Sequence, residues 1–247
     1  MIGGVHLSRR TKLGGGAAGP FSPASVAGLQ AWFDAPSLAL ADAAAVSSFT
    51  DASGNGRHAT QATGSKQPTY QTAEQNGLAV VRFDGVDDNL DTTTFARAQP
   101  QTTFVVWKAL NNAQANITVF DAVGAVNTGR LYRQPAAGTP NMRAYAGAAL
   151  QSSFTPFDGV FGIMATIWSG AASKQWANGG VGDTGNPGAP QGTGVRLGAF
   201  GGGTAGGFGN IDIGEFFVYN SALSLVDINL LGAYLGGRWG ITWATAT

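Results

Sequence analysis

The sequence predicts an all-β fold: a jelly-roll β-sandwich of two antiparallel sheets, with one short C-terminal helix and an extended N-terminal arm. Three features carry this expectation. Short apolar stretches recur along most of the chain and are divided by turns rich in Gly, Asn, Pro and Asp. A single 3.6-residue apolar period stands near the C-terminus. A glycine-rich stretch precedes the first apolar run.

Residues 1–27 form the expected arm. Gly3, Gly4, Gly14, Gly15, Gly16 and Gly19 give it little intrinsic structure, and Pro20 and Pro23 punctuate its end. Arg9, Arg10 and Lys12 make it locally basic, since the first acid of the chain is Asp34. These three cations are the expected contacts through which the arm anchors to a partner. Residues 28–247 then form one domain, a common size for an undivided β-sandwich.

Strands are expected at Leu29–Phe33, Ala79–Phe83, Thr102–Lys108, Asn116–Asp121, Arg130–Arg133, Met142–Tyr145, Phe161–Trp168, Lys174–Ala177, Val195–Phe200 and Ile211–Tyr219. In the last of these neither alternating set is purely polar, so the strand is expected to be central or covered on both faces. The strand spacing leaves no room for repeated crossover helices. Ser224 followed by Asp227 is a capping-box pattern, and Leu225, Ile228, Leu231, Tyr234 and Leu235 fall on one stripe. Gly236 and Gly237 are expected to end this helix, and Trp239, Ile241 and Trp243 alternate as a closing strand would. The glycine-rich segments 184–194 and 201–209 read as exposed loops.

Of the 247 residues, 44% are hydrophobic, and only 11% are charged against a globular average of roughly 25%. Fourteen basic residues balance fourteen acidic ones, so net charge makes no case for nucleic acid or an anionic membrane. So neutral a surface suits a protein packed in an assembly. The absence of cysteine excludes disulfides, zinc–thiolate sites and Cys nucleophiles. The basic start is followed by no apolar run of signal-peptide type, and no stretch approaches the ~20 apolar residues of a membrane span.

Three segments together resemble a known family: GLQAWFD (28–34); FTDASGNGRHA (49–59) followed by VVRFDGVDDNL (80–90); and IGEFFVYNSALSLVDINLLGAYLGGRWGI (213–241). Their order is similar to that of the concanavalin A-like lectin/glucanase superfamily, in its laminin-G-like jelly-roll branch as found in bacteriophage structural proteins. The resemblance spans about residues 28–243, with Phe49 where the family usually has Trp. It implies a non-enzymatic virion protein: a capsid decoration or tail-fibre component on the particle surface, held to other virion proteins by its arm and forming a homo-oligomer such as a trimer. The alternative it implies is a carbohydrate-binding adhesin module for host attachment.

Candidate chemistry is sparse. Asp51, Asn55, Asp84, Asp87 and Asp88 offer hard oxygens of the kind calcium takes, although Asp-Asn-Gly runs are first of all turn signals. No other cofactor is expected. Glycoside hydrolysis needs two facing carboxylates. The chain has two glutamates, Glu74 and Glu215, and lacks the Glu-x-Asp-x-x-Glu pattern of the glucanase relatives. Asp212 lies three residues from Glu215, so in a regular strand the two point to opposite faces; the expectation is no enzyme. His6 and His58 are isolated, and His58 is expected to be satisfied locally. Sugar binding would draw on aromatic and amide pairs such as Tyr132, Trp176 with Asn178, and Phe208 with Asn210.

Overall fold

The computed structural model describes residues 21–111, 116–124, 128–134, 141–155, 157–189, 192–201 and 207–247. Two large antiparallel sheets form the sandwich. In one, the strands run in the spatial order Asp183–Gly185, Ser173–Ala177, Gly162–Trp168, Gln101–Ala109, Asn210–Tyr219, Leu78–Asp84 and Thr69–Gln75. Leu29–Asp34 also pairs with Asn210–Tyr219, alongside residues 215–219, beyond the point where Leu78–Asp84 leaves it. The second sheet runs Ala149–Gln151, Asn141–Ala146, Thr128–Gln134, Ile117–Asp121, Arg196–Leu197, Leu90–Thr92, Ala59–Thr60 and Ser48–Phe49. A small ribbon pairs Ala96–Arg97 with Gly192–Thr193.

The expected all-β sandwich with a C-terminal helix is therefore observed, and each strand predicted between Leu29 and Tyr219 has its counterpart. Val195–Phe200 shrinks to Arg196–Leu197 because Gly198 turns away at φ +76°. Reading by apolar runs missed Thr69–Gln75 and Ala149–Gln151, short or polar strands at sheet edges whose exposed sides need few apolar residues.

Two cores explain the doubly apolar strand Asn210–Tyr219. Between the sheets, Phe33, Phe49, Val81, Phe83, Trp107, Phe120, Leu131 and Phe216 pack together. Phe49 is fully buried against Phe33. On the far side of the first sheet, Phe104, Val106, Ile163, Trp176, Phe217 and Tyr219 pack under Ile228, Leu231, Leu235 and Trp239 of the helix. The strand is thus central and covered on both faces.

The helix Leu225–Trp239 starts as the capping box predicts: Asp227 N–H donates to Ser224 Oγ at 3.2 Å, and Ser224 Oγ–H donates to the Asp227 carboxylate at 2.7 Å. Its end differs from expectation. The helix runs through Gly236 and Gly237 and stops at Gly240, which takes the left-handed conformation at φ +65°. Gly232 and Gly236 serve packing, whereas a Cβ at Gly237 would meet nothing. A Cβ at Gly232 would overlap the Trp243 ring, and one at Gly236 would sit 2.6 Å from the Ile241 carbonyl oxygen. Residues after Gly240 therefore fold back along the helix rather than forming the expected closing strand. Trp243 Nε1–H donates to Asn229 Oδ1 at 3.1 Å, and Ala244 forms only an isolated bridge to Gly179.

Arg9, Arg10 and Lys12 lie outside the described residues, but residues 21–27 pack on their own domain. Phe21 meets Tyr234 at a 5.8 Å ring separation, Tyr219 O–H donates to the Pro23 carbonyl at 2.9 Å, and Val26 joins the helix-side core.

Candidate functional site

One irregularity shapes the chemistry of the first sheet. Strand Asn210–Tyr219 carries a bulge between Ile213 and Glu215. Ile211 and Ile213 face the inter-sheet core, and so do Phe216 and Val218. This change of parity puts Asp212 and Glu215 on the same face, the helix side, and corrects the expectation that they oppose one another. Gly214 is where the extra residue fits: a Cβ there would overlap the Trp239 ring.

Asp212, fully buried, accepts two hydrogen bonds from Arg82 at 2.7 and 2.9 Å and an ion pair from Lys108 at 3.0 Å. The same two cations reach Glu74, Arg82 at 2.9 Å and Lys108 at 3.4 Å. Two members of this network, Glu74 and Lys108, line an open cleft of about 450 Å³ together with Gln75, Gly159, Val160, Phe161, Gly240, Ile241 and Thr242. The volume suits a small ligand. Lys108 Nζ lies 4.5 Å from the Phe161 ring centroid, and that ring stacks on Trp239. The cleft thus combines an aromatic wall with a carboxylate, an amide, an ammonium and a hydroxyl.

Glu215 sits deeper, 1% exposed. Trp32 and Tyr234 donate to its Oε1 at 2.9 and 3.2 Å, and Trp239 donates to Oε2 at 2.8 Å. Arg238 approaches at 3.6 Å while donating to Asp34 at 2.7 Å. Burial, reinforced by the Asp34 charge, pushes the Glu215 carboxyl up to about 7 against the pull of Arg238 and the two indoles. The group clasps the helix to the sheet.

The oxygen-rich turns separate. The carboxylates of Asp84, Asp87 and Asp88 gather within 4.8 Å of one another, and such a cluster can coordinate calcium if carbonyls and water complete the six to eight oxygens it takes. Asp88 Oδ2 accepts the Asp84 N–H at 2.9 Å, and Asp84 Oδ1 accepts the N–H groups of Val86 and Asp87. Asp51 and Asn55 do not join them. Asp51 takes N–H groups from Trp32, Ser53 and Arg57, each at 2.9 Å. Burial raises its carboxyl, but these bonds outweigh burial and hold it below the ordinary range. Asn55 donates to the carbonyls of Leu29 and Gln30. Both residues staple a turn to the first strand. His58 is satisfied there as expected, its Nδ1 accepting the Asp51 N–H at 3.0 Å.

The aromatic and amide candidates also scatter. Trp176 is buried in the helix-side core, its Nε1–H reaching the Thr247 carbonyl. Asn178 braces a turn, accepting the Ile163 N–H at 2.7 Å. Asn210 donates to the Asp84 carbonyl at 2.6 Å, and Phe208 is half-buried two residues before it. Tyr132 lies on the outer face of the second sheet, stacked by Arg130. None of these five lines the cleft. Its own residues were not grouped by the sequence because they come from four separate segments, 74–75, 108, 159–161 and 240–242.

The sequence matches no protein-family model and no curated protein. Solved structures do share the fold. Trypanosoma rangeli sialidase in complex with sialic acid aligns at a TM-score of 0.60 and 15% identity, over 90% of this chain and 36% of the sialidase. Domain 4 of AbnA, a GH43 extracellular arabinanase from Geobacillus stearothermophilus, in complex with arabinotriose, aligns at 0.58 and 16% identity, over 83% of this chain and 98% of that domain. An arabinofuranosidase complexed with arabinofuranosyl-α-1,2-xylobiose aligns at 0.57 and 15%, over 79% and 51%. The chain spans about a third of the sialidase. At these identities the likeness establishes the fold, a sandwich that recurs within sugar-processing proteins.

These matches correct several expectations. The similarity to concanavalin A-like domains of phage particles gives way to sialidase and arabinan-processing structures, and with it go the virion role, the virion location and the anchoring to other virion proteins as an oligomer. The expectation of no enzyme is corrected too: structures of this fold include glycosidases, and the bulge removes the opposite-face argument that supported it. No helix among the described residues is long and apolar enough to cross a membrane.

Proposed function

We propose that this chain is a carbohydrate-recognition domain of a sugar-processing protein, seating a sugar unit in the cleft beside Phe161. The mixed lining of that cleft carries the reading. A pyranose or furanose ring offers an apolar face of C–H groups and a rim of hydroxyls. Phe161 and Ile241 suit the first, and Glu74, Gln75, Lys108 and Thr242 suit the second. The shared ion pairs of Glu74 and Lys108 hold both side chains in place before a ligand arrives, which lowers the ordering cost of binding. Domain 4 of AbnA, which shares the fold along nearly its whole length and was solved with arabinotriose, supports the same reading.

The test is calorimetric titration with arabino-, xylo- and galacto-oligosaccharides. One of these series is expected to bind with a Kd in the micromolar-to-millimolar range. Phe161→Ala should weaken it roughly 10-fold or more, the loss of a well-packed aromatic contact. Binding that survives both Phe161→Ala and Glu74→Gln undiminished places the sugar elsewhere. Assaying the same mixtures for new reducing ends tests hydrolysis, for which Glu74 is the carboxylate that lines the cleft.

A further inference from the structure

The outer face of the second sheet carries a group of side chains that share no residue with the cleft. In strand Asn141–Ala146, Met142 and Ala144 enter the inter-sheet core while Arg143 and Tyr145 point outward, half-buried. Cross-strand register sets Arg143 beside Tyr132 and Gln151, and Tyr145 beside Arg130. Cations and aromatic rings therefore alternate like a checkerboard. The Arg130 guanidinium lies 4.1 Å from the Tyr132 ring centroid and 4.7 Å from that of Phe200, and Tyr132 meets Tyr145 edge-on at 6.4 Å. Tyr132 and Arg130 are buried beneath this layer, which leaves Tyr145, Arg143 and Gln151 as its accessible part.

The charge on this face is unbalanced in a chain whose net charge is zero. Arg196 is neutralised by Asp91, with bonds of 2.6 and 2.7 Å. Arg130 bonds the Thr118 hydroxyl oxygen at 2.6 Å and is attracted by the buried Asp121 carboxylate. Arg143 is held by two neutral amide oxygens, Gln151 Oε1 at 2.9 Å and Asn141 Oδ1 at 3.3 Å, and among the described residues no ion pair reaches it. A guanidinium aimed by neutral acceptors keeps its full charge and spare N–H donors, the arrangement that receives a carboxylate in paired hydrogen bonds. The neighbouring Tyr145 ring supplies the apolar contact that a sugar face takes.

We propose that this face is a second binding site, and that its ligand is a glycan bearing carboxylates, a uronic-acid chain. Arg143 receives the carboxylate, Gln151 orients Arg143, and Tyr145 lies against the sugar ring. The face adjoins an edge strand, Ala149–Gln151, so a chain can pass across it without entering a pocket.

The test compares polygalacturonate, alginate and hyaluronan, each with its carboxyl-reduced neutral counterpart, by affinity electrophoresis and calorimetry. At least one acidic form is expected to bind 10-fold or more tightly than its reduced form. Arg143→Gln should abolish that preference, Arg143→Lys should retain part of it, and Tyr145→Ala should weaken acidic and reduced forms alike. Phe161→Ala in the cleft should leave the preference intact. Circular dichroism of each variant checks that it folds. Equal affinity for acidic and reduced forms, or a preference untouched by Arg143→Gln, overturns this proposal and leaves the cleft reading standing. A preference lost in Phe161→Ala but kept in Arg143→Gln assigns the acidic sugar to the cleft and overturns it as well. Failure of all three acidic polymers to bind also overturns it, whereas the cleft reading is judged on the neutral oligosaccharides.

Discussion

Glu215 shows how one buried carboxyl can make stability depend on pH. In the folded protein it keeps its proton up to about pH 7, and in the unfolded chain only to the ordinary value of 4.5. Between those values the folded state binds more protons, so the free energy of unfolding falls as pH rises. Asp88 acts in the same sense. Burial, with help from the charges of Asp84 and Asp87, pushes it up to about 6 from 3.8, against the Asp84 N–H. Melting temperature is therefore expected to decline from pH 4.5 to pH 7. The Glu215 part amounts to about 3 kcal/mol at most. Glu215→Gln should flatten that decline, and a variant whose melting profile still matches wild type across this window would remove Glu215 as its cause. At the acidic turn, calcium should relieve the mutual repulsion of Asp84, Asp87 and Asp88. Millimolar calcium is expected to raise the melting temperature by roughly 2–4 °C per kcal/mol of binding, and Asp87→Asn should erase the rise. No rise in the wild type would show that the turn holds no calcium.

Among the elements, the helix best shows propensity yielding to packing. Its start was legible because a capping box is a local device, bonded within four residues. Its end was not, because Gly236 and Gly237 resemble a stop signal, whereas the structure uses Gly232 and Gly236 to let Ile241 and Trp243 press close. Gly232→Ala tests this. It adds helix propensity worth up to about 1 kcal/mol, yet its Cβ meets the Trp243 ring, and overpacking costs about 1–3 kcal/mol. Net destabilisation in urea unfolding is expected, and net stabilisation would mean the Trp243 segment moves aside freely. Ser224→Ala should cost about 1 kcal/mol by loss of the cap alone. The bulge in Asn210–Tyr219 is the counterpart in the sheet. Residues 211–219 read as a regular alternation, but one inserted residue at Gly214 reverses the parity of residues 215–219 and brings Asp212 and Glu215 to one face.

Across the whole molecule, the stretch after Pro20 is tied to the domain by distant partners. Phe21 meets Tyr234, Pro23 receives the Tyr219 hydroxyl, and Val26 enters the helix-side core. Deleting residues 1–27 should thus destabilise the fold more than deleting residues 1–20, by at least the few kcal/mol these contacts represent. Equal melting temperatures for the two truncations would show that residues 21–27 contribute nothing. The sequence by itself determined the all-β class, the two-sided burial of the strand ending at Tyr219, the helix cap and the turns at Asp51 and Asp84. Each of these is a local pattern of polarity, period or turn chemistry. Only the tertiary structure decided which side chains meet. It drew Glu74, Lys108, Phe161 and Thr242 from separate segments into one cleft, divided the oxygen-rich turns into an Asp84 cluster and an Asp51 staple, and buried Trp176. The reason is physical. Contacts between residues distant in the chain depend on strand register, bulges and the space glycine leaves, and these are settled by packing two sheets and a helix at once.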